Sequence, residues 1–327
     1  MPTALYFSRT LWRWIRMAMH VIEPRRETLH GTFSRDLPPA LSIDSGDTVV
    51  FSTLEAGWGL EPSGEKGERR RFEDFRPEWR GEGHALCGPI EVRGAEPGMT
   101  LEVRIHNLRV GIWGRTVTGG SVPLEWNHRL GVADREEALC WTLDPHALVG
   151  RDQYGHTVAL KPFMGVMGMP PEEPGLHPTP PPRVTGGNID CKELTAGSSL
   201  FLPIAVPGAL FSVGDGHAAQ GDGEVCQTAI ECPFERVELS FVLRPGLRLS
   251  TPRALTPQAW ISFGFHTDLD EAMFLATEAT LDLMGELFGL GRHTALALAS
   301  VAVDFRVTQV VNGAKGVHAL LPHGAIR

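Results

Sequence analysis

The sequence contains few cysteines, and none of them stands in a pattern by which cysteine builds a structure. Its 327 residues include five cysteines, an odd number, with no CxxC pair. A disulfide scaffold and a thiolate zinc site are therefore not expected. No apolar run reaches the roughly 18 residues of a membrane-spanning helix. The cytoplasm is the compartment that we expect.

Positively charged residues are fewer than negatively charged ones. Lysine and arginine number 30 against 39 aspartates and glutamates, which gives a formal net charge of −9. This balance gives no general reason to bind nucleic acid or an anionic membrane. The charged stretch 65–80 carries both signs and is interpreted as a solvated loop. A hydrophobic content of 42% with 21% charged residues excludes wholesale disorder.

The first twenty residues differ from the rest of the chain, because arginines interrupt their apolar residues. A secretory signal requires an uninterrupted apolar stretch, so this segment does not fit one. A short interfacial helix is one alternative. We expect instead a poorly ordered extension over residues 1–20, with translation starting at Met17 or Met19.

Short apolar runs separated by glycine and proline dominate the first 250 residues. Val49, Val50 and Phe51 follow a Gly-Asp turn and predict a buried strand. Similar runs stand at 90–92, 100–105, 200–204, 209–213 and 237–243. Turn residues at such intervals are typical of sandwiches and barrels. The sequence therefore predicts a mainly β protein with a β-sandwich or barrel-like core.

Helical spacing of apolar residues is confined to the C-terminal part. It extends over 268–290, where Thr267 or Asp268 is the candidate cap and glycines close the end. A second, mostly buried helix is predicted over 293–305, and a strand over 306–311.

These patterns predict a β-rich catalytic core over residues 21–250 and a small α+β subdomain over residues 251–327, packed on that core. The proline-rich stretch 170–182 is too rich in proline for a helix or an interior strand. It is interpreted as a stiff surface excursion or as a lid near the site.

Two glycine-bracketed polar clusters stand between residues 185 and 231. In the first, Gly186 and Gly187 precede Asn188 and Asp190. In the second, glycines are interleaved with Asp215, His217, Gln220, Asp222 and Glu224. Glycine permits positive φ angles, and these polar side chains bind metals or move protons. A pair of tight turns is the alternative; we interpret the clusters as an active site.

Several segments stand in a characteristic order along the chain: 45–59, 83–108, 162–168, 186–194 (GGNIDCKEL), 196–225, 228–231 (TAIE) and 300–322. In this order they resemble the acetamidase/formamidase family of linear-amide hydrolases. The resemblance covers about residues 21–322. It implies hydrolysis of short amides such as formamide and acetamide to a carboxylate and ammonia. It also implies a homo-oligomer, a dimer or a tetramer.

Among amide-cleaving mechanisms, the residues favour attack by water. A nitrilase-type enzyme needs Cys, Glu and Lys to converge, whereas Cys191, Lys192 and Glu193 are consecutive and would alternate across an extended strand. Ser198 and Ser199 are interpreted as the start of a strand, and no G-x-S-x-G motif occurs. A divalent cation that polarises the carbonyl and acidifies bound water remains as the predicted assistant.

Four residues are the predicted metal ligands: Asn188, Asp190, Asp215 and His217. Their mixed oxygen and nitrogen atoms suit zinc or a similar ion, with calcium as the alternative. Glu224 is the predicted general base, which takes a proton from water and passes it to the leaving ammonia.

Two further residues are predicted to be catalytic. Gln220 would contact the amide, and Cys191 is either a participant or only a small buried neighbour. Three others are predicted to contact the substrate: Glu55, His84 and Asp222. A single histidine such as His84 is more often structural than functional.

Two other functions stay open. The chain could be a non-catalytic β protein that binds a small polar ligand through metal-stabilised loops, since a fold alone does not define a function. It could also be an amidohydrolase for another C–N substrate, such as a carbamate. Trp58, Trp113 and Trp126 are candidates for an apolar pocket wall or for the core.

Overall fold

The computed structural model describes residues 17–62, 70–72, 83–120 and 126–327. The strands are Met19–Ile22 (β1), Leu29–His30 (β2), Leu41–Ile43 (β3), Thr48–Thr53 (β4), Leu86–Val92 (β5), Thr100–Val110 (β6), Trp113–Gly119 (β7), Glu136–Asp144 (β8), Val149–Asp152 (β9), Thr157–Ala159 (β10), Phe163–Gly168 (β11), Gly186–Asn188 (β12), Ser199–Pro203 (β13), Phe211–His217 (β14), Phe234–Arg244 (β15), Arg253–Leu255 (β16), Ala259–His266 (β17), Asp304–Gln309 (β18) and Lys315–Pro322 (β19). The helices are Asn127–Leu130 (α1), Leu269–Phe288 (α2) and Arg292–Ala302 (α3).

Two sequence predictions concern residues largely outside this description. The charged loop over 65–80 is described only at residues 70–72. Of the predicted N-terminal extension, residues 17–20 are described, and Met19 and His20 already belong to β1, which pairs in parallel with β4.

Three sheets organise the chain. The largest has nine strands in the order β1-β4-β15-β6-β13-β16-β17-β19-β18, and a six-stranded sheet has the order β12-β11-β14-β5-β2, with β3 paired to β5. A four-stranded sheet follows the order β10-β9-β8-β7. Phe211 on β14 contacts Phe241 on β15 with ring centroids 5.0 Å apart, which joins the two larger sheets. The prediction of a mainly β protein with C-terminal helices is confirmed.

The core lies between these sheets and explains why buried apolar residues alternate along their strands. Val49 and Phe51 on β4 are fully buried, as are Leu239 and Phe241 on β15. Successive side chains of a strand point to opposite faces, so residues two apart cover the same face with apolar area. Burying such a side chain contributes about 1.5–3 kcal/mol, which makes this face the main support of the scaffold that carries the site.

The α2 helix has the ends that its sequence predicts. The carboxylate of Asp268 accepts hydrogen bonds from the backbone N–H groups of Asp270 and Glu271, and Gly289 ends the helix with φ of 66°. The second helix is shorter than predicted. It ends at Ala302 because Asp304 already pairs with β19, so the predicted end at residue 305 is wrong.

The nine-stranded sheet has strands from both sides of the predicted boundary at residues 250 and 251, because β13 pairs with β16 and β16 pairs with β17. The α2 helix packs against β17 and β19. The division into a core and a C-terminal subdomain therefore stays a prediction. Within the described residues, the helices fall short of the length and apolarity needed to cross a bilayer.

Candidate active site

Three neighbouring strands of the six-stranded sheet bring the predicted site residues together. β11 lies between β12, which ends at Asn188, and β14, which carries Asp215 and ends at His217. A bridge also pairs His217 with Glu231, and Glu231 in turn pairs with Arg115 on β7. The site therefore lies where the six-stranded sheet and β7 of the four-stranded sheet meet the segment that contains Glu231.

His217 is at the centre of this site and is almost fully buried. Its Nε2 atom lies 3.3 Å from Asp215 Oδ1 and 3.2 Å from Glu231 Oε1. Its Nδ1 atom lies 2.9 Å from the amide oxygen of Gln220. Because an amide oxygen only accepts, this contact places the ring proton on Nδ1. Nε2 is then the atom available to a ligand.

Asp190 approaches the same histidine from the first glycine cluster. Its Oδ2 atom accepts a hydrogen bond of 2.6 Å from the side-chain amide of Asn312. Its backbone oxygen accepts one of 2.9 Å from the side-chain amide of Gln220. Its Oδ1 atom lies 3.9 Å from His217 Nδ1. Asn312 thus holds the Asp190 carboxylate, and Gln220 holds the backbone beside it.

Three acids of the site have backbone conformations that L residues rarely adopt. The φ angles of Asp190, Asp215 and Glu224 are 56°, 57° and 46°. Such left-handed conformations are uncommon for residues other than glycine and cluster at functional sites. They also turn the side chains away from the alternation of a regular strand, which lets acids close in sequence converge.

A glycine makes this convergence sterically possible. A Cβ atom at Gly165 on β11 would lie 2.5 Å from Asp215 Oδ2 and 2.6 Å from Asp190 Oδ1. No real Cβ atom tolerates such contacts, so the two carboxylates occupy the space that a side chain would fill. The predicted role of Gly186 and Gly187 is also confirmed, since their φ angles are 92° and 97°.

Buried acids outnumber the single histidine at the centre, and this imbalance shifts their pKa values. Burial raises the pKa of Asp190 and of Glu224 well above the usual carboxyl value, and the neighbouring acids add to the shift. Burial, reinforced by Asp215, raises the pKa of Glu231 to about 7. Burial alone would lower the pKa of His217, but Glu231 and Asp215 hold it well above its usual value.

Asp215 is the exception among these acids. Burial would raise its pKa, but His217 and His84 hold the pKa of this carboxyl well below its usual range. The centre therefore has one acid whose pKa is lowered beside three whose pKa is raised. Titratable groups with pKa values pushed apart in this way are typical of functional sites.

A cavity of about 200 Å³ opens beside the centre. Its lining residues are Glu55, Ala56, Gly57, His84, Arg115, Pro180, Asn188, Asp215, Glu224, Gln227, Thr228, Glu231 and Asn312. The volume suits a small molecule, and most of the lining is polar. Thus five of the predicted site residues line one cavity: Glu55, His84, Asn188, Asp215 and Glu224.

Glu55 follows β4 and His84 precedes β5, and both line this cavity. Glu55 accepts a 3.0 Å hydrogen bond from the backbone N–H of Gly59 and lies 3.2 Å from Arg115 Nε. His84 contacts the hydroxyl of Thr179, with Nδ1 and Oγ1 2.8 Å apart. Both side chains are therefore held at the cavity wall by fixed partners.

The proline-rich stretch 170–182 also contributes to the site. Thr179 holds His84, and Pro180 lines the cavity. A lid role for this stretch stays a prediction. Of the described lining residues, none is among the three tryptophans considered for an apolar wall, and Trp58 is instead a buried residue whose Nε1–H donates to the Gly83 carbonyl.

Gln220 lies at the centre but outside the cavity. Its amide oxygen accepts from His217 and its amide nitrogen donates to the Asp190 carbonyl. Both ends of the side chain are therefore occupied, which argues against the predicted contact with the amide substrate. Gln220 therefore holds the His217 ring and the Asp190 backbone together.

Asp222 and Cys191 also lie apart from the residues that line the cavity. Asp222 pairs with Lys192 Nζ at 2.8 Å. The thiol of Cys191 donates to Glu193 Oε2 at 3.3 Å, and burial raises the pKa of this thiol well above its usual value. A thiol held neutral in this way is a poor nucleophile.

The prediction that Cys191, Lys192 and Glu193 alternate across an extended strand is wrong. These residues lie at a turn after β12 and not on an extended strand, and the Cys191 and Glu193 side chains touch. Lys192 is the residue that leaves the trio, since its ammonium group pairs with Asp222.

Sequence reasoning missed three residues of the centre: Arg115, Glu231 and Asn312. Glu231 stands in the TAIE run, and its position in that run was the available signal. Asn312 lies inside the C-terminal segment that resembles the family. Arg115 has no local signal, because a single basic residue on a strand is ordinary.

The unsatisfied atoms of the centre test whether a metal ion fits. Five buried atoms of ligand type lack a hydrogen-bond partner within the described residues: Asn188 Oδ1, Asp190 Oδ1, His217 Nε2, Glu224 Oε2 and Glu231 Oε2. Two groups have ligand atoms within 4.8 Å of one another: Asp190, His217 and Glu224, and Asp215, His217 and Glu231. Buried polar atoms normally find partners. Carboxylates around one imidazole suit a divalent cation.

The fold and the centre define the class: a mainly β protein with a buried histidine–carboxylate site that suits a divalent cation. The sequence model of the Acetamidase/Formamidase family matches residues 18–177 and 174–323. The chain belongs to that family.

Individual relatives agree with this membership. The chain is similar to a formamidase from Methylophilus methylotrophus, with 51% identity over 247 residues, and to an acetamidase from Mycolicibacterium smegmatis, with 28% identity over 252 residues. Each match covers 60% of this chain, and the matches cover 59% and 61% of the relatives. The chain thus spans about three fifths of the length of the curated relatives that it matches.

A solved structure extends the likeness to the whole fold. The crystal structure of an acetamidase from Bacillus halodurans has a TM-score of 0.81 and 25% identity, covering 92% of this chain and 97% of the other. A gamma lactamase from Delftia acidovorans has a TM-score of 0.62 at 21% identity, covering 93% and 92% of the two chains, which shows a shared fold alone.

Proposed function

We propose that this protein hydrolyses the C–N bond of short linear amides, giving a carboxylate and ammonia. One observation carries the proposal: the unpartnered Oε2 atom of Glu224 and the ligand-type atoms around His217 belong to the same buried site. That site opens on a cavity of about 200 Å³. Family membership and the formamidase and acetamidase relatives support the reaction class.

Three residues would hold a divalent cation in this proposal: Asp215, His217 and Glu231. The Gln220 contact leaves His217 Nε2 as the free imidazole atom, and this atom faces Asp215 and Glu231. Asn188 and Asp190 belong to the same unsatisfied set and would complete the coordination. When bound, the cation supplies Lewis-acid polarisation of the amide carbonyl and a lower pKa for water. A nitrogen and oxygen set of this kind favours zinc.

Glu224 is the proposed proton-transfer residue. Its carboxyl group lines the cavity and has an unpartnered oxygen, and its pKa is raised well above the usual value. A carboxylate whose pKa is raised is a stronger base, so it takes a proton from water and releases it to the leaving nitrogen. The water oxygen bonds to the carbonyl carbon, the C–N bond breaks, and the transferred proton leaves with ammonia.

The cavity wall supports a small substrate. Glu55 is fixed by Gly59 and Arg115, so its carboxylate can accept from an amide N–H group without moving. His84 is fixed by Thr179 on the opposite segment. The polar lining and the small volume fit formamide or acetamide better than a long acyl chain.

Compartment and assembly complete the proposal. Free cysteines are typical of a reducing compartment, and all five cysteines are free. This supports the cytoplasm. Exposed apolar residues on the helices, including Phe274, Phe288, Leu296 and Val301, support a homo-oligomer.

The experiment is ammonia release from formamide, acetamide, propionamide and urea, using purified protein before and after chelation and with metal added back. We expect turnover of a short amide that chelation abolishes and a divalent metal restores. Turnover that persists after complete metal removal would contradict the role of the cation. No release from any amide would contradict the substrate class and leave a binding role or another C–N substrate.

A further inference from the structure

A second buried cluster lies just after Asp190 in the chain and involves none of the groups around His217. It consists of Cys191, Glu193 and His318, whose ligand-type atoms all lie within 4.8 Å of one another. Cys191 and His318 are fully buried, and the Glu193 side chain is 10% exposed. A thiol, a carboxylate and an imidazole in one place form a mixed ligand set for zinc.

The distances in this cluster match the edges of a tetrahedral site. Bond lengths of about 2.3 Å to sulfur and about 2.0 Å to nitrogen or oxygen imply edges of about 3.5 Å between sulfur and oxygen and about 3.3 Å between nitrogen and oxygen. The Cys191 Sγ to Glu193 Oε2 distance is 3.3 Å. The His318 Nε2 to Glu193 Oε2 distance is 3.4 Å. The three groups therefore need little movement to share one ion.

The imidazole of His318 has a free atom that faces this position. His318 Nε2 is buried and has no hydrogen-bond partner within the described residues, although it lies beside Glu193. His318 Nδ1 is held by the Thr308 hydroxyl at 2.8 Å. A ligating histidine is usually oriented in this way through its other ring nitrogen.

Neighbouring charges leave the ligand atoms free. Arg306 Nη1 lies 3.2 Å from Glu193 Oε1, which leaves Oε2 for the cluster. Lys192 is directed to Asp222 and not to the thiol. Binding of a divalent ion would release the Cys191 proton, which is now donated to Glu193.

We propose that Cys191, Glu193 and His318 form a second metal site, which binds zinc or a similar divalent ion that accepts a thiolate. Three protein ligands leave one position for water. The site ties β19, through His318, to the turn that follows Asp190. The absence of a CxxC pair does not bear on it, because its single thiolate and its histidine come from distant parts of the chain. This proposal does not depend on the proposed function.

Cobalt provides a test that reads the thiolate directly. The full chain is stripped with a chelator and titrated with Co²⁺, while near-ultraviolet absorption from thiolate-to-cobalt charge transfer and bound metal per chain are measured. The ligand groups around His217 contain no sulfur. The absorption therefore reports on the second site alone, whatever the outcome for amide hydrolysis. We expect the thiolate band in the unmodified protein.

Two serine variants locate the thiolate. Cys191→Ser should abolish the band and remove one bound ion per chain. Cys232→Ser is the matched control, because Cys232 is equally buried but belongs to neither ligand group that includes His217. We expect Cys232→Ser to keep the band. No band at saturating Co²⁺, or a band that survives Cys191→Ser, would overturn the proposal.

His318→Gln gives an independent test that keeps the thiol, for use if the Cys191 variant does not fold. Loss of a ligating imidazole should weaken the Co²⁺ affinity read from the thiolate band by at least about tenfold. An unchanged affinity would remove His318 from the site and overturn the proposal.

Discussion

Two buried clusters lie on either side of the peptide bond between Asp190 and Cys191. They differ in how their buried carboxyl groups are compensated. Around His217, four carboxyl groups surround one imidazole, and three of them line a cavity. Around His318, a single carboxyl group, that of Glu193, already has Arg306 as its partner. Uncompensated buried charge costs stability and is retained where it has a function. From this difference, we expect the first cluster to serve chemistry and the second to tie β19 to the turn after Asp190.

Gly165→Ala should have the largest effect on the His217 cluster and leave the second cluster unchanged. A Cβ atom there would lie within 2.6 Å of both Asp190 Oδ1 and Asp215 Oδ2 and would force the carboxylates apart. We expect kcat/KM for a short amide to fall by about 10²–10⁴-fold, since a displacement of about 1 Å can cost 10²-fold. The cobalt band of the second cluster should persist. Gly246→Ala, where a Cβ atom meets open space, is the control and should leave both readouts unchanged.

The next largest effect is the pH dependence of the stability of the metal-free protein, which arises from the His217 cluster. Burial raises the pKa of Glu231 to about 7, so the folded protein retains a proton that the unfolded chain releases from about pH 4.5 upward. The stabilisation that this group contributes is therefore complete below about pH 4.5 and is lost as the pH rises through 7. The loss is on the order of 3 kcal/mol. The raised pKa of His217 acts in the same direction.

Chemical denaturation at pH 5.5 and 7.5 measures this loss. Glu231→Gln should flatten the dependence because it removes the titrating carboxyl group. Bound metal should also oppose the loss, since a cation favours the ionised carboxylates. A metal-free protein that becomes more stable from pH 5.5 to 7.5 would contradict the assignment.

A smaller effect is expected from Gln220→Ala. Gln220 holds His217 Nδ1 and the Asp190 carbonyl, so its loss frees the imidazole to rotate. Metal affinity at the His217 centre should fall by about 10–100-fold, as measured by competition with a chelator. Gln220→Glu keeps an oxygen acceptor for Nδ1 and should recover much of the affinity. If Gln220 contacted the substrate, KM would rise while metal affinity stayed unchanged.

The smallest effect concerns a region outside both clusters. Asp268→Ala removes the carboxylate that accepts from two backbone N–H groups at the start of α2. The free energy of unfolding should fall by about 1 kcal/mol, measured by denaturant titration, with kcat unchanged. A change in kcat as large as that of Gln220→Ala would show that α2 participates in the site.

The sequence predicts the scaffold better than the details of the centre. Alternating apolar residues such as Val49 and Phe51 reveal buried strands, and Asp268 and Gly289 reveal the ends of α2, because these signals are local. The glycine clusters also identify the segment that contains Asp190 and Asp215.

Side-chain directions in the centre could not be predicted in the same way. Asp190, Asp215 and Glu224 have positive φ angles, so the alternation rule for strands does not apply to them. The partnership of Gln220 with His217 depends on a turn between them, and Arg115 comes from another sheet. Tertiary pairing of β7 with the segment before β15 brings Arg115 and Glu231 together, and nothing in either local sequence encodes it.

The most direct test of the account compares Glu224→Gln with Glu231→Gln, measuring bound metal and ammonia release on the same samples. We predict that Glu224→Gln retains the metal and loses about 10²–10⁴-fold in turnover, the usual contribution of a general base. Glu231→Gln should lose the metal and the activity together. Full turnover by metal-loaded Glu224→Gln protein would contradict the proposed mechanism.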